Sequence, residues 1–128
     1  MEFDVTDELA IQNSVKIMKQ KLNGGKLDCL INNDGIAVRG TSILLKTNDF
    51  RHQFEVNLFG VILVTNAFIE LLCANLNNNH SGKIINISSV SGKRAFPFVA
   101  PYTASKFALE GHSDALRREL LLYGIDVI

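Results

Sequence analysis

A tyrosine and a lysine four residues apart, Tyr102 and Lys106, directly follow Pro101. Pro101 suits the first turn of a helix, where a missing N–H costs nothing, and in that helix Tyr102 and Lys106 share one face. Upstream, Ser88 and Ser89 end a short apolar run, Ile84 to Ile87, and a loop with Gly92 and Pro97 joins the two parts. A phenol and an ammonium held side by side, opposite a serine at a strand's end, can move a proton to or from an alcohol oxygen. An unassisted phenol ionises near about pH 10, too high for a base at neutral pH. An ammonium about 4 Å away, at an effective dielectric of roughly 20, favours a phenolate by about 4 kcal/mol before solvent screening. At about 1.4 kcal/mol per unit, that brings such a pair toward neutrality, where acid–base catalysis is efficient. A bare Tyr-x-x-x-Lys is also an ordinary solvated pair on a helix surface, so its surroundings must decide.

Those surroundings alternate between two periodicities. Phe3-Asp4-Val5 reads as the stub of a strand ending at Thr6, which suits an N-cap with Asp7 and Glu8 in the first turn. Ile11, Val15, Met18 and Leu22 follow a helical stripe that Asn23-Gly24-Gly25 closes. Leu27 to Ile31 is an unbroken apolar run, fitting a strand buried on both faces of a parallel sheet; it closes in Asn32-Asn33-Asp34-Gly35. Thr47 or Asn48 opens a helical region that runs, with a break near Asn57, to about Leu76, and Asn75 to His80 reads as a polar loop. Ile84 to Ile87 is a second buried strand. Pro101 to Tyr123 is a long helix with Gly124 behind it, and Ile125 to Ile128 begins a further strand. Strands alternating with helices mean an α/β domain with a parallel sheet. In such sheets functional groups gather beyond the carboxyl ends of the strands, here at Asp4-Val5, at Asn32 to Gly35 and at Ser88-Ser89.

Composition narrows the field. The 128 residues suit one domain, 1–128, and thirteen basic residues balance thirteen acidic ones, so no global field favours nucleic acid or an anionic membrane. The pairs Lys93–Arg94 and Arg117–Arg118 are too short for a basic patch. Cys29 and Cys73 sit far apart in apolar segments and read as buried thiols in a reducing compartment, cytoplasmic or similar. His52, His80 and His112 lack ligand spacing, so no metal site is expected. Asn66 and Glu70 interrupt the richest apolar stretch, Leu58 to Ala74, so no membrane segment is expected. No signal-peptide pattern precedes Asp4, and an anchor ahead of Met1 is left open.

The thirteen-residue step from Ser89 to Tyr102, the wording YTASKFALEG and the upstream Asn-Asn-x-Gly together resemble the short-chain dehydrogenase/reductase family. The resemblance extends over nearly the whole chain. It implies a Rossmann-like doubly wound parallel sheet, incomplete because no glycine-rich phosphate turn precedes Asp4 and the chain stops at Ile128. It implies NAD or NADP as cofactor and the interconversion of a small alcohol and a carbonyl by hydride transfer. On the family's pattern Asp4 and Val5 contact the adenine, while Asn32, Asn33 and Gly35 line the ribose side and steady the central strands. Asn57, in FEVNLFG, holds a water of the proton relay through its backbone, and Ser89 holds the substrate oxygen. Tyr102 is then the general acid or base, binding substrate and cofactor, and Lys106 favours its ionised form and binds the nicotinamide ribose. Asp34 departs from the pattern, which has alanine there; a carboxylate would repel a pyrophosphate but could accept a ribose hydroxyl. Ser88 is the competing serine, one residue earlier and so facing the other way in a strand.

Blander readings stand beside these. Asn33 and Gly35 suit a turn on their own account, and Asn57 could simply kink its helix. A truncated, non-catalytic relative acting as an interaction module would also lack the glycine turn. A related enzyme could use the same Tyr–Lys pair for epimerisation or dehydration on a held nucleotide. The YTASKFALEGHSDALRREL wording is closest to members acting on hydroxysteroids, retinoids or similar apolar alcohols, and Phe96, Pro97 and Phe98 suit such a substrate. Phe59, Ile62, Leu63, Phe68, Ile69 and Leu72 cannot all face one sheet, so a homo-oligomer through the 48–76 and 101–123 helices is expected. In the family's strand order the Leu27–Ile31 strand has an open edge in this chain. Residues 1–128 alone are therefore expected to be aggregated or poorly ordered, to bind dinucleotide too weakly to detect by calorimetry and to catalyse no measurable hydride transfer.

Overall fold

The computed structural model describes residues 3–72 and 82–128. Helix α1, Glu8–Leu22, starts where a carboxylate satisfies its free N–H groups: extended Asp7 accepts the Ala10 N–H at 3.0 Å. Thr6, the expected cap, instead gives its N–H and its hydroxyl to the Asp4 carboxylate, both at 2.8 Å. These bonds, the backbone one foremost, hold the Asp4 carboxyl below its ordinary range. They also curl the chain, so Phe3–Val5 is a loop and not the expected strand stub; no strand among the described residues lies beside it. Asn23, at φ 45°, ends α1 in the left-handed region, as the Asn-Gly-Gly punctuation predicts.

Strands β1 (Cys29–Asn32), β2 (Lys83–Asn86) and β3 (Asp126–Val127) pair in parallel, in that order. Leu30 lies opposite Ile84 and Ile84 opposite Val127, while Asn32 lies opposite Asn86. The long helical run comprises α2 (Thr47–Phe54), a π-helical turn (Glu55–Gly60) and α3 (Val61–Leu72). The break expected near Asn57 is this wide turn. Helix α4, Ala100–Leu120, carries Pro101 in its first turn and passes through a short 3-10 turn to left-handed Gly124.

All three long helices pack on one face of the sheet. Ile11 and Val15 of α1 meet Val64, Phe68 and Leu71 of α3, and Leu72 and Leu120 close over Ile84 and Val127. Strands that follow one another in one direction through right-handed crossovers put their helices on one side. The alternate pleat positions therefore stay open among the described residues: Ile31, Ile87 and Ile128 are 59%, 43% and 60% exposed. That corrects the expectation of strands buried on both faces, and β2 begins and ends one residue earlier than expected. Cys29 is a free, half-buried thiol, less enclosed than expected.

Contrary to the expectation from Asn66 and Glu70, the run Thr47–Leu72 is long and apolar enough to cross a bilayer by length and composition. Its place here is that of a core helix, packed against α1, β1 and α4. The expected helix end at Leu76, the Cys73 thiol and the Asn75–His80 loop with His80 lie outside the described residues.

Two substitutions test these junctions. Asp7→Ala should cost about 1 kcal/mol as a lost cap, and Thr6→Ala less. A Cβ on Gly82 would stand 2.5 Å from the Leu72 carbonyl oxygen, and Gly82→Ala should cost about 1–3 kcal/mol of overpacking. Denaturant midpoints of the intact protein measure all three; an unchanged midpoint for Gly82→Ala would mean a looser α3–β2 junction.

Candidate active site

Beyond β1 the chain leaves the sheet, and residues 36–38 have no strand to pair with. Two buried side-chain amides take the strand's place. Gln53 accepts the Val38 N–H at 2.7 Å and donates to the Ile36 carbonyl at 2.7 Å. Asn57 accepts the Ile36 N–H at 2.9 Å and donates to the same carbonyl at 3.0 Å. Asn57 also donates to Ser105 Oγ at 3.1 Å, and that hydroxyl bonds the Tyr102 carbonyl at 2.8 Å. The amide of Asn57 thus joins the loop after β1 to the helix bearing Tyr102. Gln53 and Ser105 are site residues that the motifs leave out. Their signal in the sequence was an amide one turn ahead of Asn57, and a serine beside the lysine.

Lys106 is 4% exposed and donates to the Ile87 carbonyl at 2.7 Å, at the carboxyl end of β2. Its Nζ lies 5.9 Å from the centroid of the Tyr102 ring. Burial pushes Lys106 below the ordinary lysine range, and the Glu110 carboxylate one turn on acts in the opposite sense. Gly35 closes the other side: a Cβ there would sit 3.4 Å from Asn57 Oδ1 and 3.9 Å from Lys106 Nζ. The structure therefore brings Gly35, Asn57, Tyr102 and Lys106 together.

The two serines diverge, as strand alternation requires. Ser89 starts a 3-10 turn, Val90–Gly92, and accepts the Ser91 N–H at 3.1 Å. The Ser88 hydroxyl, buried without a well-formed hydrogen bond, lies against the Glu110 carboxylate. Lys93, at 2.7 Å, and next this hydroxyl hold the Glu110 carboxyl below its ordinary range. The Lys93–Glu110 pair latches the serine loop to α4. A cleft of about 340 Å³ opens beside Tyr102, walled by Ala37, Arg39, Ser91, Phe98 and Val99. Ser91 stands in that wall, and Ser89 at the root of its loop.

The remaining expected residues lie on the other side of Gly35. Asn32 is buried, donating to Thr65 Oγ1 at 3.0 Å and to Asn86 Oδ1 at 2.8 Å, and Asn86 donates to Ser113 Oγ at 2.9 Å. Its amide thus ties the central strands, while Asn33 and Asp34 stay exposed. Val5, Asn32, Asp34 and Gly60 line a separate apolar cavity of about 280 Å³ with Phe3, Val56 and Val61 among its walls. Asp4 stands exposed outside it. Among the described residues no group of His, Cys, Asp or Glu is placed to hold a metal ion.

A tyrosine and a buried lysine at the carboxyl end of a parallel strand, joined through an asparagine on a wide helical turn to the loop after β1, make up the site. The family described as short chain dehydrogenase matches residues 1–128, and the chain belongs to it. The NADPH-dependent 3-dehydrocapnine reductase of Ornithobacterium rhinotracheale is 37% identical over 126 residues, 98% of this chain and 44% of that protein. An uncharacterized oxidoreductase of Bacillus subtilis is 44% identical over 124 residues, 96% of this chain and 41% of that one. The NADPH-bound carbonyl reductase from chicken fatty liver superposes with a TM-score of 0.89 at 26% identity, over 98% of this chain and 53% of its own. The fold is thus the Rossmann-like parallel sheet of that family. The chain spans a little under half the length of the curated relatives it matches.

A lysine held below its ordinary range gives a testable pH dependence. Between the lowered folded value and the ordinary 10.5, the unfolded chain binds more protons, so stability from this group rises with pH. Lys106→Met removes that titration. The variant should compare best with the parent near neutral pH and lose ground as pH climbs toward 10.5. Thermal midpoints across that range measure it, and a pH-independent difference would mean Lys106 is not desolvated.

Proposed function

We propose that the chain carries the acid–base part of an NAD(P)-dependent oxidoreductase that interconverts an alcohol and a carbonyl. The observation carrying this reading is the buried Lys106 ammonium, anchored on the Ile87 carbonyl beside Tyr102 at the edge of a cleft. In the reductive direction Tyr102 gives its hydroxyl proton to the substrate oxygen, and in the oxidative direction it takes the proton back. Lys106 supplies a fixed positive charge beside the developing phenolate, in a site where burial strengthens the interaction. Ser89 is assigned the substrate oxygen, at the root of the loop whose Ser91 lines the cleft. Asn57 sets the distance between the loop after β1 and α4, and its backbone in the π-helical turn is assigned the relay water.

The residues on the far side of Gly35 fit a dinucleotide. Val5, Val56 and Val61 give apolar walls for a base, Asp34 an acceptor for a ribose hydroxyl, and Asn33 and Lys106 polar contacts further along. Asp4 is assigned the base edge, and Asn32 contributes by holding the strand ends in place. Gly35 leaves the space between Asn57 and Lys106 into which ribose can reach. Once bound, the nicotinamide supplies or accepts the hydride. The names of two relatives support NADPH as the cofactor to try first and a carbonyl compound as substrate.

In the intact protein, Tyr102→Phe should lower turnover by at least about 100-fold, the scale of general acid–base catalysis, with dinucleotide affinity retained. Lys106→Ala should damage both. Near-normal turnover in Tyr102→Phe would remove the assignment, and dinucleotide binding without turnover in the parent would favour an interaction module. Half-exposed Phe59 and Phe107 support association of copies through the 48–76 and 101–123 helices; light scattering of the intact protein should give a dimer or larger species, and a monomer would refute it.

A further inference from the structure

The cleft beside Tyr102 has Ala37, Phe98 and Val99 as apolar walls and Ser91 as a polar one, and it contains one cation, Arg39. The other cations of the facing loop are engaged. Lys93 pairs with Glu110 at 2.7 Å, and the Arg94 guanidinium lies 5.8 Å from the Phe96 ring centroid. Arg39 has no hydrogen bond or ion pair among the described residues.

Its backbone, in contrast, is pinned on both sides. The Val38 N–H is held by the buried Gln53 amide at 2.7 Å, and the Gly40 N–H donates to the Phe98 carbonyl at 2.8 Å. That second bond forms between two residues at positive φ, Gly40 at 154° and Phe98 at 65°. The left-handed conformation of Phe98 is one that a bulky side chain adopts only when its surroundings impose it. The strain is therefore spent on stapling the two loops that wall the cleft. A cation with fixed backbone flanks and a free guanidinium, facing the same cleft as the acid–base tyrosine, is prepared for a planar two-oxygen anion.

We propose that Arg39 selects substrates that carry an anionic group on an otherwise apolar carbonyl or alcohol chain, and that it binds that group while Tyr102 addresses the reacting oxygen. The inference rests on reading the cleft as the substrate site, and it adds the charge of the substrate to that reading. Ala37, Phe98 and Val99 would cover the apolar chain, and Arg39 at the mouth would take the carboxylate or similar oxyanion.

Binding and turnover together test it. Keto fatty acids of graded carbonyl-to-carboxylate spacing, each paired with its methyl ester, would be titrated calorimetrically into the intact protein and into Arg39→Met and Arg39→Lys. At one spacing the acid should bind about tenfold or more tighter than its ester, the scale of a charge-assisted hydrogen bond. That ratio should collapse in Arg39→Met, recover in part in Arg39→Lys, and shrink with added salt in the parent and in Arg39→Lys but not in Arg39→Met. Equal affinities for acid and ester in the parent, or a ratio that survives in Arg39→Met, would overturn the inference. A matching loss of NADP(H) affinity in Arg39→Met would also overturn it, by assigning the cation to the cofactor. Reduction of acid and ester at equal efficiency leaves the oxidoreductase reading standing and removes the role of Arg39. Selective binding of the acid without reduction by NADPH does the reverse.

Discussion

The site depends on a loop that has lost its sheet. After β1 the residues from Gly35 to Gly40 run beside a helix, and a helix offers no free backbone groups along its flank. Buried backbone without partners would cost a few kcal/mol per group. Gln53 and Asn57 remove that cost by presenting amides, which carry the same donor and acceptor as a peptide. Both backbone groups of residue 36 and the N–H of residue 38 are satisfied in this way. Where those amides stand therefore decides where Gly35, Ala37 and Arg39 stand. Through Ser105 the same arrangement fixes the loop to the helix of Tyr102 and Lys106.

A second polar device crosses the core at right angles to the strands. Thr65, Asn32, Asn86 and Ser113 form a continuous chain of hydrogen bonds from α3 through β1 and β2 to α4. Each member is buried, so each bond is made in a medium of low dielectric and its loss would strand a neighbour. An apolar contact would allow two strands to slide by two residues and keep the same face inward. Paired asparagines at one register position do not permit that slide, and the strand ends bearing the site stay level with each other.

The sequence disclosed much of this and hid the rest for identifiable reasons. Tyr102, Lys106 and Pro101 declared a helix face, because periodicity and proline placement are local properties. Asn57 declared itself as an amide out of place in an apolar helix. Gln53 did not, because a glutamine in the polar stretch Arg51-His52-Gln53 reads as surface, and only the returning loop reveals its use. Thr6 and Asp7 are both good caps, and the choice fell to Asp7 because the Asp4 carboxylate claims Thr6. The unbroken apolar runs promised strands enclosed on both faces. Periodicity reports which residues avoid water but not which part of a chain covers them, so exposed Ile31, Ile87 and Ile128 could not be foreseen.

The wide turn at Glu55–Gly60 has a further consequence. A π-helical turn holds about one residue more than an α-helical one, and one residue amounts to about 100° of rotation about the axis. Gln53 before the turn and Asn57 within it reach the loop, and Val64, Phe68 and Leu71 after it reach α1 and the sheet. The turn absorbs its additional residue by widening, so the helix on either side keeps its facing. Deletion of one residue within it would narrow it to an α-helical turn and shift the Asn57 amide against the loop, while the flanking halves kept their partners.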